Sequence, residues 1–145
     1  MDKQKLRKAY SDWADDNDFK YFTTLNFNYH GYYSLYSVNR SLKGLHARLD
    51  EKALGAKWCE KPISQRLNSM SFLENKDRNM HFHMLWTAPI HEAKLLEELP
   101  NIWEKLVPGG QAVTKDIFSP SGASWYSTKQ GNFEDCVLSS YFFPQ

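Results

Sequence analysis

The chain has 145 residues, 41% of them hydrophobic and 15% aromatic, and a net charge of +1. That length holds one domain with a real core and is too short for two, and the composition excludes a disordered chain. No run of about 18 apolar residues could cross a bilayer, the charged opening "MDKQKLRKAYSDWADD" lacks the apolar centre of a signal peptide, and Cys59 and Cys136 form no disulfide framework, so a cytoplasmic protein is expected.

Leu6, Ala9, Tyr10 and Trp13 recur at helical spacing and predict a helix from Met1 to about Asp16. "FKYFTTLNFN" is rich in aromatic and β-branched residues and predicts a strand from Phe19 to Phe27. "YHGYYSLY" follows as a turn or aromatic loop. Ser37 is placed to cap a helix along which Val38, Leu42, Leu45 and Leu49 share one face, with Gly55 as its terminator. Charge is concentrated here: seven basic residues lie between Arg40 and Arg66 against three acidic ones, balanced by Asp12, Asp15, Asp16 and Asp18. A local excess of this kind suits phosphate contacts, although a solvated helix face has the same look.

"LNSMSFLEN" and "NMHFHMLW", on either side of "KDR", predict a β-hairpin from about Leu67 to Trp86. "HEAKLLEELPNIWEKL" reads as a helix with Leu95, Leu99, Trp103 and Leu106 inward and Pro100 expected to kink or split it. "QAVTKDIF" is a further strand. Ser119, Pro120 and Gly131 outline a short helix, and "DCVLSSYFF" a final strand. The order lacks βαβαβ regularity. It fits an α+β fold, an antiparallel sheet with helices packed mainly on one face.

On a strand, Met80, Phe82, Met84 and Trp86 form an apolar face, and His81 and His83 point together from the other. Two neutral imidazoles about 6.5–7 Å apart at their Cα atoms can ligate one cation, or can simply be polar residues facing out. Glu74 is the nearest third ligand, and its use depends on register. A two-residue loop at Asp77 and Arg78 pairs Glu74 with His81. A three-residue loop turns Glu74 to the apolar face and aligns Met70 and Phe72 with Met84 and Phe82. On the late helix, Tyr126, Lys129 and Gln130 stand at i, i+3 and i+4 and share a face. A tyrosine needs a nearby cation or base to act as a nucleophile, and Lys129 is one turn away.

"FTTLNF", then "HFHMLW", then "WYSTKQ" about 40 residues later resemble, in order and spacing, the three motifs of the HUH endonuclease superfamily, within it the rolling-circle replication initiators. The resemblance runs from about Phe19 to Gln130. It implies a ferredoxin-like sheet with His81 and His83 holding Mg2+ or Mn2+ against the scissile phosphate of single-stranded DNA, at an origin or hairpin. Tyr126 is then the single nucleophile, leaving a 5′-phosphotyrosine link, and Lys129 positions the DNA or stabilises charge. The third ligand is Glu74 on the pattern of the initiators, or Gln130 on that of the related single-strand transposases. Thr24 and Asn26 of the first motif, with Arg40 and Lys43, are the expected DNA contacts. Many initiators continue into a helicase domain; a whole protein without one would take a host helicase and polymerase as partners, whereas for an excised domain nothing follows. The setting is the host cytoplasm for a phage or plasmid protein and the nucleus for a eukaryotic virus. The rival class is a non-enzymatic nucleic-acid binder, with the aromatic stretch "YFTTLNFNYHGYY" stacking bases.

Overall fold

The computed structural model describes residues 2–28, 34–74, 79–128 and 136–142. The chain runs α1 (Lys3–Asp16), β1 (Tyr21–Asn26), α2 (Leu35–Leu54), β2 (Asn68–Glu74), β3 (His81–Thr87), α3 (Glu92–Leu106), β4 (Gln111–Asp116), α4 (Pro120–Ser127) and the two-residue β5 (Val137–Leu138). The strands form one sheet in the order β4-β1-β3-β2-β5, antiparallel at every pairing. This is the α+β plan that the order of elements implied. Among the described residues no helix is long and apolar enough to cross a membrane.

The two longest helices, α2 and α3, cover one face of the sheet. Leu42, Leu45 and Leu49 of α2 and Leu95, Leu99 and Trp103 of α3 meet Leu25, Phe82, Met84 and Trp86 there. Both buried indoles of this layer are paired: Trp86 donates to Thr23 Oγ1 at 2.8 Å, and Trp103 to the Asn26 carbonyl at 2.9 Å. The other face carries α1 and α4. Ala14 and Phe19 pack on Met70, Phe72 and Leu85, with Tyr10 edge-on to Phe72 at 5.5 Å. Both faces thus bear helices.

Three boundaries differ from the expectations. Ser34, not Ser37, caps α2, its Oγ accepting from the Ser37 amide at 3.1 Å. The extra turn holds Leu35 and Tyr36, both exposed, so apolar spacing gave no sign of it. Pro100 lies inside an unbroken α3, exposed on the outer side while Leu95, Leu99, Ile102 and Trp103 keep the inner face packed. Of the last predicted strand only Val137 and Leu138 pair among the described residues; Ser139–Phe142 forms a 3-10 turn.

Candidate metal centre

Alternation along β3 sends Phe82, Met84 and Trp86 into the α2–α3 layer, leaving His81, His83 and Leu85 on the opposite face. The register of β2 then decides what they meet. Glu74 pairs with His81 and Phe72 with His83, the alignment that a two-residue loop required; residues 75–78 themselves lie outside the described residues. The alternative that matched Met70 and Phe72 to Met84 and Phe82 is overturned. Both residues are buried on the histidine side, beneath α1. Each face of β2 is buried, so hydrophobicity alone could not choose the register.

Glu74 and His83 are only 4% and 6% exposed. Glu74 Oε2 lies 3.0 Å from Nε2 of His81 and 3.0 Å from Nε2 of His83. The three residues each offer one ligand atom, all within 4.8 Å of one another. Adjacent ligands in an octahedral shell with bonds of about 2.1 Å are themselves about 3 Å apart. The donor set, two imidazoles and a carboxylate, suits a divalent cation.

The backbone around His81 strengthens the fit. Asn79 takes a left-handed backbone, φ 51°, a conformation that asparagine tolerates, and its carbonyl lies 2.9 Å from His81 Nδ1. In the neutral ring that nitrogen carries the proton and donates to the carbonyl, leaving the Nε2 lone pair aimed at the Glu74 carboxylate. A lone pair against an anion at 3.0 Å is repulsive unless a proton or a cation stands between them. A carbonyl that fixes the ligand tautomer in this way is a common outer support of metal-binding histidines. Glu74 Oε1 is buried with no hydrogen-bond partner among the described residues, so the carboxylate has an oxygen to spare.

Tyr126 borders this cluster. Its ring centroid is 5.9 Å from that of His83 and 6.3 Å from that of Phe22, which in turn packs 5.1 Å from His83. The tyrosine side chain is half exposed. Its position is set by α1. Arg7 Nε donates to Thr128 Oγ1 at 2.7 Å, its guanidinium also donates to the Trp125 carbonyl, and it lies 3.7 Å over the Trp125 ring. Asp15 accepts from the Ser121 amide at the other end of α4, where an anion also meets the positive end of the helix. Tyr21 is a poor rival nucleophile. It faces the other layer, and its hydrogen bond to Glu92 pushes its hydroxyl up to about 12.

Thr24 stands across from His83 and Asn26 across from His81, so both project to the histidine face. Both line a cleft of about 580 Å³ together with His83, Tyr126, Lys115 and Phe118. Arg40 and Lys43 are not brought there. They lie on α2, behind the opposite face of the sheet, beside a separate groove. The expectations for Lys129 and Gln130 concern residues outside those described. Sequence reasoning missed Arg7, Asp15, Phe22, Lys115 and Phe118. Strand parity from the histidines could have found Phe22, since it shares the phase of Thr24 and Asn26; the α1–α4 clamp has no local signal.

Compared with protein-family models, with curated proteins and with solved structures, the chain matches none of them.

Proposed function

We propose that this protein is a metal-dependent nuclease of the HUH type, a tyrosine enzyme that nicks and rejoins single-stranded DNA and so initiates rolling-circle replication. One observation carries the reading: a buried carboxylate oxygen equidistant from two imidazoles, with the half-exposed Tyr126 ring against one of them. Glu74, His81 and His83 would hold Mn2+ or Mg2+, which when bound polarises the scissile phosphate as a Lewis acid and aligns it.

The remaining chemistry belongs to the chain. Tyr126 Oη forms a bond to phosphorus and loses its phenolic proton. The P–O3′ bond breaks, and the departing 3′ oxygen takes up a proton to become a free hydroxyl. The 5′ phosphate stays on Tyr126, and attack by a 3′-hydroxyl reverses the step and joins the strands. Phe22 and His83 buttress the tyrosine ring, and Arg7 and Asp15 hold its helix. Thr24 and Asn26 lie where the DNA strand would cross the sheet. Glu74 in the cluster favours the initiator over the transposase, which takes its third ligand from the position of Gln130. A host helicase and polymerase belong to the same proposal, as does the host cytoplasm as its setting.

The test is a covalent adduct. Incubated with Mn2+ and a broad library of single-stranded oligonucleotides, the wild-type chain should carry DNA through denaturation, and Tyr126→Phe should not. Absence of any adduct across the library would overturn the nuclease and leave a non-enzymatic nucleic-acid binder.

A further inference from the structure

Beside the Glu74–His81–His83 cluster lies an apolar surface outside the core formed by the described residues. Phe118, on the connection from β4 to α4, is 100% exposed, and Val113 on β4 is 53% exposed. Neither contributes to the core, so neither is there for stability. Both line the cleft that reaches His83 and Tyr126, whose volume of about 580 Å³ is within the range of small-ligand sites. Strand parity fills in the rest. Val113 pairs with Thr24 and Lys115 with Phe22, so all four project to the histidine face. Asp116 also borders the cleft, but it pairs with Tyr21 and belongs to the other face.

We infer that this cleft is a nucleobase subsite: Phe118 and Val113 take the flat face of one unpaired base, Thr24 and Asn26 meet its polar edge, and Lys115 holds the adjoining phosphate. The inference deepens the nuclease reading and rests on it for the identity of the ligand. An aromatic ring flanked by an aliphatic side chain and a cation is the composition that stacks a base and neutralises its backbone. Duplex DNA offers no free base face to such a platform, so a single strand is selected. β4 is the edge of the sheet, which leaves the strand a way in and out beside the cluster.

The experiment measures binding alone, by fluorescence anisotropy of the full chain with chelator present. The probes are a random-sequence single-stranded DNA pool and an abasic strand of equal length. Phe118→Ala should weaken binding of the pool by about fivefold or more, the lower end of base stacking on an aromatic side chain, and leave the abasic strand unchanged. Phe118→Trp should restore the loss, and Lys115→Gln should weaken both probes alike. Phe118 is fully exposed, so these changes leave folding intact. Wild-type affinity in Phe118→Ala, or equal wild-type affinity for both probes, overturns the subsite. The two readings fail separately. Selective loss in Phe118→Ala without an adduct under any condition keeps the subsite and removes the nuclease. Adducts with unchanged affinity in Phe118→Ala do the reverse.

Discussion

Glu74 is the residue on which the site turns, because one of its oxygens answers both imidazoles while the other stays buried without a partner among the described residues. Loss of an outer support of a metal ligand commonly costs about 10–100-fold in affinity, and loss of a ligand itself should cost at least as much. Titration calorimetry with Mn2+ should therefore show an affinity drop of about 100-fold or more for Glu74→Ala and for His83→Ala. Lys43→Ala, on the far layer, should bind as the wild type does. Equal affinity in all four proteins would remove the metal centre. Much of this residue-level picture was legible. The His-x-His pair announced its shared face by parity, and Glu74 was one of two readings. What could not be read was the choice between them, since Met70 and Phe72 have an apolar place to go on either face.

At the level of elements, α1 and α4 work as a unit. Arg7 gives α4 two hydrogen bonds and a stacked guanidinium, which together are worth on the order of 2 kcal/mol. Arg7→Ala should lower stability by about that amount in urea titrations and reduce the rate of adduct formation. It should leave Mn2+ affinity untouched, because the ligands sit on β2 and β3. A parallel fall in metal affinity would mean that the clamp supports the whole face rather than the tyrosine. α3 offers an independent check. Pro100 is exposed in a helix interior, where proline costs up to about 3 kcal/mol through its missing N–H and its ring clash. Pro100→Ala should raise the urea midpoint, and a lowered midpoint would show that the proline shapes the packing of Trp103. Helix existence was readable from apolar spacing throughout. Helix boundaries were not, where exposed residues such as Leu35 and Tyr36 continue the backbone without joining the core.

For the molecule as a whole, two buried groups on α2 pull stability in opposite directions with pH. Burial lowers His46 to about 4, partly offset by its hydrogen bond to the Leu42 carbonyl. The unfolded chain therefore binds the proton first, and this contribution, present above the unfolded value of 6.5, is lost as pH falls toward 4. Asp50 is raised by burial to about 6 from 3.8, against its hydrogen bond from the Leu67 amide. Its contribution is present below 3.8 and is lost as pH rises through 6. Asp50→Asn should thus gain stability relative to wild type as pH goes from about 4 to 6.5, read from urea curves across that window; a flat difference would show that Asp50 stays charged. Neither residue stood out in the sequence, since distant segments bury them: Ser69 and Phe142 meet His46, and Leu67 meets Asp50. The same long-range dependence has a consequence in time. Glu74, His81 and His83 sit on one hairpin, whereas Arg7 meets Thr128 across 121 residues. On the ribosome β2 and β3 can pair while α4 is still unsynthesised. On the proposed reading, Tyr126 would reach its station only once the first helix of the chain captures α4, so nicking competence would come after metal competence.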